Sequence, residues 1–114
     1  MLEKINRVNY LFDFYGLLLT DKQQSVIEMY YEENFSLAEA AEHLNITRQA
    51  VHDILSRAVY ALEDWEKKLR LYEIHLQRKK EGMRLLELLS CQPLKDDGIN
   101  EIKEIVQQYM IDNE

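Results

Sequence analysis

Ile5, Val8, Phe12, Tyr15 and Leu19 fall at alternating spacings of three and four, the interval that places side chains on one face of an α-helix. A first helix follows, with Gly16 near its end. Thr20 with Gln23 three residues later forms a capping-box pattern, in which hydroxyl and amide each satisfy a backbone N–H left over at a helix start. The second helix opening there carries Val26, Ile27, Tyr30 and Tyr31 as an apolar stripe and leaves through the polar Glu32-Glu33-Asn34. At helical spacing, such a tyrosine-rich stripe reads as core packing rather than a stacking platform.

Ser36 and Glu39 repeat the capping box and open a short helix that turns Leu37, Ala40, Ala41 and Leu44 inward. Asn45 stands where a tight turn needs a left-handed residue, Ile46 plugs that turn, and Thr47 caps the next helix. In that helix Val51, Ile54, Leu55, Ala58 and Leu62 face in, leaving Arg48, Gln49, His52, Asp53, Ser56 and Arg57 outward. The pattern predicts a helix-turn-helix at about Ser36 to Leu62, within a core spanning residues 20–65.

The 3-4 spacing then continues through Leu55, Ala58, Leu62, Trp65, Leu69, Tyr72 and Leu76, so a long helix is expected to run out of the recognition helix. Its 22 residues would span roughly 33 Å at about 1.5 Å each. The seam can pack on the first helix, whose stripe has the same spacing, or form a homodimer through Leu55 to Leu76. Lys79 breaks the seam and Gly82 weakens the helix, which places a bend or end between Arg78 and Gly82. A further apolar segment, Met83 to Leu89, runs to a boundary at Ser90-Cys91-Gln92-Pro93. Asp96-Asp97-Gly98 reads as a turn before a last amphipathic helix, residues 98–111, carrying Ile99, Ile102, Ile105, Val106, Tyr109 and Met110.

The expectation is thus an all-α fold in one domain, 1–114, without a wing. It combines the helix-turn-helix, a long extended recognition helix continued by a basic helix over 66–90, and C-terminal helices. Three glycines and one proline in 114 residues agree with that helical bias. No apolar run approaches the 18 or so residues of a membrane span, and Met1 to Arg7 lacks the basic-then-apolar pattern of a secretory signal. A cytoplasmic protein without membrane insertion is expected. Cys91, the single cysteine, reads as a small buried hydrophobe.

The net charge of −7 opposes broad attraction to nucleic acid, but the charge is segregated. Residues 1–65 carry 5 basic and 11 acidic groups, residues 66–84 carry 7 and 3, and residues 85–114 carry 2 and 7. A polyanion contact outside the helix-turn-helix would therefore use Lys67, Lys68, Arg70, Arg78, Lys79, Lys80 and Arg84. A solvated helix face is the plainer reading of the same block. His43, His52 and His75 do not have metal-ligand spacing, and the scattered glycines form no phosphate loop. The carboxylates read as surface charges, so neither enzyme activity nor a cofactor is expected.

The run Ser36-Leu37-Ala38-Glu39-Ala40-Ala41-Glu42-His43-Leu44-Asn45-Ile46-Thr47-Arg48, with Val51, Arg57-Ala58 and Leu62, resembles the promoter-reading helix-turn-helix of bacterial sigma factors. That resemblance implies that the second helix enters a major groove, with Arg48, Gln49, Ser56 and Arg57 at base edges. His52 and Asp53 depart from it, standing where such modules often place basic or amide groups, and a carboxylate there repels phosphate. The whole chain, including Leu11 to Tyr15 and the long helix after Leu62, is similar to the YlxM family of small bacterial helix-turn-helix proteins. This second resemblance implies an association with the signal recognition particle (SRP) pathway, through its RNA or a protein of that pathway.

Two functions follow. In the first, the protein is a regulatory factor binding DNA or RNA through Thr47, Arg48, Gln49, His52, Ser56 and Arg57, with Lys67, Lys68 and Arg70 on phosphates. In the second, the helix-turn-helix is a scaffold, and the acidic surface or long helix docks a basic protein partner of the targeting machinery.

Overall fold

The helices formed by residues 2–69 fold around one apolar cluster because each carries an apolar stripe that only the others can cover. The computed structural model describes residues 2–90 and 96–112, and the side chains of residues 7–90 and 96–109. Helix α1 (Leu2–Tyr15) passes through a 3-10 turn (Gly16–Leu18) to α2 (Asp21–Ile27), which runs on as a π-helical turn (Glu28–Glu32). Then come α3 (Leu37–Leu44), α4 (Arg48–Leu69), α5 (Leu71–Ser90) and α6 (Asp96–Asp112), with no strand among the described residues. The all-α architecture and the helix-turn-helix are as expected.

The chain divides into two compact units, Met1–Tyr72 and Glu73–Glu114. In the first, α4 is the axle: Val51, Leu55, Ala58 and Leu62 are buried against Val8, Leu11 and Tyr15 of α1, Val26 and Ile27 of α2, and Ala40 and Ala41 of α3. The half of the seam from Leu55 to Leu62 is thus covered within the chain and is not open to a second copy. At the end of α1 the chain turns tightly under an aromatic ring. A Cβ on Gly16 would lie 3.0 Å from the Phe12 ring, closer than packed atoms ordinarily come.

The local signals are satisfied as their chemistry requires. The Thr20 hydroxyl accepts the Gln23 N–H while the Gln23 side chain accepts the Thr20 N–H, and Ser36 and Glu39 make the same reciprocal pair. Asn45 is left-handed, φ 58° and ψ 45°, and the Ile46 N–H reaches the Ala41 carbonyl at 3.0 Å, closing α3. Across the surface Arg7 meets Glu63 through two hydrogen bonds of 2.8 Å. The Arg7 hydrogen bond holds the Glu63 carboxyl below its ordinary range, against the opposing pull of burial. Both side chains are over a third exposed, so solvent screens the pair and its net contribution is about 0.5 kcal/mol.

The continuous helix expected over 66–90 is broken. Leu69 ends α4, Arg70 is left-handed at φ 57°, and α5 starts at Leu71. The cause is a contact invisible to the 3-4 pattern. The Tyr15 hydroxyl donates to Glu66 Oε1 at 2.7 Å and accepts the Leu71 N–H at 3.0 Å, and Glu66 Oε1 accepts the Tyr72 N–H at 3.0 Å. The first two N–H groups of α5, which have no partner inside their own helix, are thereby capped by side chains of α1 and α4. Tyr72 then stacks on Tyr10, ring centroids 5.4 Å apart, beneath the Arg7 guanidinium.

Two further expectations are corrected in the second unit. The helix does not end between Arg78 and Gly82, as α5 runs through to Ser90. One glycine costs a helix about 1 kcal/mol, too little to end one of this length, and α5 also meets α6: Arg84 bonds Glu101 at 2.8 and 3.0 Å, and the Arg78 guanidinium lies 4.8 Å over the Tyr109 ring. Asp96-Asp97-Gly98 is the first turn of α6 rather than a turn before it, with two carboxylates placed favourably against the helix dipole. The expectations for Cys91, Gln92 and Pro93 lie outside the described residues, as do those for the side chains of Ile5 and Met110.

Tyr15→Phe is expected to destabilise the first unit by about 2 kcal/mol, because it removes one bond to a buried carboxyl group and one to a helix N-terminus. Urea unfolding reads this. Burial first, and then the bond to Glu66, raise the Tyr15 phenol above its usual pKa of 10. Its contribution is therefore fully present below pH 10 and is lost as pH rises through the raised value. The stability gap between wild type and Tyr15→Phe is expected to close in alkaline unfolding experiments.

Candidate nucleic-acid interface

Thr47, outside the first turn of α4, spends its hydroxyl on the Ala50 N–H at 3.0 Å. It is a helix cap, one of the residues singled out in the sequence as a contact whose polar group is engaged within the fold. Arg48, Gln49, His52, Ser56 and Arg57 are all exposed on the N-terminal half of α4. Val51, Leu55 and Ala58 fix that outward set by being buried. At about 100° per residue, Gln49, His52 and Ser56 share an arc of roughly 60°, while Arg57 flanks it on one side and Arg48 on the other.

Asp53 tempers this face. It accepts the Gln49 side-chain amide at 3.0 Å, and its Oδ1 lies 3.7 Å from His52 Nδ1. The amide that would read a base edge is thus held by a carboxylate one turn along. The surrounding surface is acidic as well, with Glu28, Glu32, Glu33, Glu39 and Glu42 exposed on the π-turn, the loop after it and α3. Glu39 is partly occupied by its cap on Ser36.

Lys67, Lys68 and Arg70 lie at the opposite end of α4. Nineteen residues separate Arg48 from Lys67, about 28 Å along the axis. The structure places these cations in a second cluster rather than beside the recognition set. Lys68 bonds Asp64 at 2.9 Å, Arg70 forms the left-handed end of α4, and Lys67 is exposed. Of the remaining basic residues, Arg84 is occupied by Glu101 and Glu87 and Arg78 by Tyr109, while Lys79 and Lys80 are exposed.

One feature of this face did not register in the sequence pattern. The expected tyrosine core is only partly buried: Val26 and Ile27 are inside, Tyr31 is half-buried, and Tyr30 is exposed. The π-turn is the reason. The Glu33 N–H returns to the Glu28 carbonyl and the Phe35 N–H to the Met29 carbonyl, and Asn34 is left-handed at φ 60°. This wider winding buries Met29 and shifts the tyrosines toward α4. There Tyr30, Tyr31, Leu37, His52, Leu55, Ser56, Val59 and Tyr60 line an open cleft of about 440 Å³. No group of His, Cys, Asp and Glu able to hold a metal ion exists among the described residues, and no described helix is long and apolar enough to cross a membrane.

Comparison with known proteins agrees with this architecture. A family described as "Putative helix-turn-helix protein, YlxM / p13 like" matches residues 2–106. A UPF0122 protein of Lactococcus lactis subsp. cremoris strain MG1363 is 45% identical over 106 residues, covering 93% of each chain. A relative from Streptococcus pneumoniae strain 70585 is 45% identical over 112 residues, 98% of this chain and 96% of its own. The UPF0122 protein YofM of Lactococcus lactis subsp. lactis is 42% identical over 107 residues, 94% of this chain and 96% of its own.

Thr47→Ala is expected to cost about 1 kcal/mol of stability through loss of the cap, and Thr47→Ser to restore it. Urea midpoints of the three proteins check this.

Proposed function

The chain belongs to the YlxM/p13-like helix-turn-helix family, and from that premise we propose that it is a non-enzymatic regulatory protein that binds nucleic acid through the N-terminal half of α4. One observation carries the reading. The left-handed Asn45 turn and the Thr47 cap deliver Arg48, Gln49, His52, Ser56 and Arg57 to solvent on a helix whose opposite face is buried. Arginine and glutamine side chains so placed can address base edges in a groove, with the flanking arginines also within reach of phosphate. Lys67 and Arg70, with Lys68 once it exchanges its bond to Asp64 for phosphate, form a second contact on a polyanion long enough to follow α4. The resemblance to a family associated with the SRP pathway makes the RNA of that particle the first candidate target.

The acidic π-turn and α3 favour a second reading, in which the same unit docks a basic protein of the targeting machinery. Direct binding separates the two. Purified protein is titrated with SRP RNA, an unrelated structured RNA and a DNA duplex at near-physiological and at higher salt. Preference for the particle RNA supports the first reading with that target. Equal, salt-sensitive binding to all three leaves only phosphate attraction, and no binding to any leaves the protein-docking reading.

Charge variants sharpen the test. Arg57→Glu is expected to weaken nucleic-acid binding about tenfold or more and to flatten its salt dependence. Asp53→Asn, which releases the Gln49 amide and removes a charge facing phosphate, is expected to strengthen binding several-fold. Unchanged affinity in both variants would remove α4 as the contact.

A further inference from the structure

The cleft beside α4 is unlike the rest of the reading face. Arg48 and Arg57 suit phosphate, but the lining of the cleft contains no lysine, arginine or carboxylate. Its walls are aromatic and aliphatic. Tyr30 and Tyr31 meet edge to face with ring centroids 5.0 Å apart, and Tyr60 extends from α4 with 74% of its surface exposed. His52 and Ser56 supply ring nitrogens and a hydroxyl that can both donate and accept hydrogen bonds. The volume of about 440 Å³ lies within the range of roughly 300–1,000 Å³ typical of small-ligand pockets.

The occupant that fits is planar, uncharged and edged with donors and acceptors. A phosphate is disfavoured, because the cleft offers no cation and the adjoining π-turn carries the exposed Glu28 and Glu32. Resting on the reading of α4 as a nucleic-acid contact, we infer that the Tyr30-Tyr31-Tyr60 cleft receives one unstacked nucleobase of the bound nucleic acid, held by stacking on tyrosine and by His52 and Ser56 at its edge. His52 and Ser56 lie on the same arc of α4 as Gln49, so a strand that follows the helix reaches the cleft without leaving the interface. A base is available there only where pairing is interrupted, in a loop, bulge or single strand, because paired bases are stacked inside their duplex. The cleft therefore makes the protein a reader of looped RNA over continuous duplex. The π-turn, a winding that recurs at functional sites, is what turns Tyr30 and Tyr31 into it.

The test compares two RNA probes of the same stem sequence, one closed by a four-adenine loop and the other a blunt duplex. Each is titrated into the full chain as wild type, Tyr60→Ala, Tyr60→Phe and Arg57→Glu. The exposure of Tyr60 makes its variants stable, and thermal melts confirm it. Wild type is expected to prefer the looped probe roughly tenfold, the scale of one base-on-aromatic stack. Tyr60→Ala is expected to abolish the preference with duplex binding unchanged, and Tyr60→Phe, which retains the ring, to keep it. With 2-aminopurine in the loop, fluorescence is expected to fall on binding to wild type and not to Tyr60→Ala.

Equal binding of both probes by wild type, a preference that survives Tyr60→Ala, or one lost in Tyr60→Phe overturns the inference. If Arg57→Glu still weakens both probes in those cases, the α4 interface stands and the cleft alone is excluded from it. Binding of neither probe overturns both and leaves the cleft to an apolar side chain of a protein partner.

Discussion

The first unit depends on a buried carboxyl group. Glu66 is 6% exposed, on the face of α4 that otherwise holds Val51, Leu55, Ala58 and Leu62. Such a group is costly to bury unless its lone pairs are occupied. Here the hydroxyl of Tyr15 and the N–H of Tyr72 occupy Oε1, and the Glu66 carbonyl accepts the Arg70 N–H. One residue thus ties the middle of the bundle to the end of α1, to the end of α4 and to the start of α5. The left-handed Arg70, a conformation costing a non-glycine residue roughly 1–2 kcal/mol, is offset by these bonds and by the Tyr10, Phe14 and Tyr72 rings packed beside them. Helix α4 is consequently held along its whole length: at its start by Thr47 and the α3 turn, at its end by the Glu66 joint.

That rigidity matters for a recognition helix. A helix presenting side chains to a groove works as a unit only when its rotation about its own axis is set, since a turn of 100° exchanges one row of residues for the next. The apolar contacts of α4 with α1, α2 and α3 set the rotation. The π-turn adds a component that an ordinary α2 would not provide: its extra width brings two tyrosines against the outward flank of α4 while Val26, Ile27 and Met29 still fill the core. The proposed contact face is therefore composite, with a charged ridge on α4 and an uncharged aromatic recess beside it.

What was legible in the sequence, and what was not, follows the range of the interactions involved. Thr20 with Gln23, Ser36 with Glu39, Asn45 and Thr47 act on backbone groups within a few residues, and each does what its type and position indicated. The inward positions of the helix-turn-helix followed from periodicity alone. The break at Arg70 did not, because its cause joins residues 51 apart, and the 3-4 pattern from Leu62 to Leu76 reads identically in one helix or two. The π-turn was hidden for a related reason. Val26, Ile27, Tyr30 and Tyr31 suit a regular helix, and only the pairing of Glu33 with Glu28 and of Phe35 with Met29 shows that the winding has widened. In the candidate interface, exposure was legible for Arg48, Gln49, His52, Ser56 and Arg57. The engagement of Gln49 by Asp53 and the separation of the Lys67 cluster became visible only in three dimensions.

The acidic character of the chain takes on a different meaning once its charges are located. A strongly basic surface would bind any phosphate backbone, whereas here Arg7 and Lys68 are each held by a neighbouring carboxylate within the first unit. The other cations on α4 are few and spread out, Arg48 at its start, Arg57 near its middle and Lys67 at its end, and an acidic flank adjoins the aromatic recess. Long-range attraction is therefore weak, and a ligand must gain its affinity from close contact with the few groups that face it. On the proposed reading, that arrangement lowers the affinity available to arbitrary duplexes more than the affinity available to a target matching both the ridge and the recess. Discrimination is a difference between two binding free energies, so the carboxylates that oppose nucleic-acid binding in general also widen the margin in favour of a fitting target.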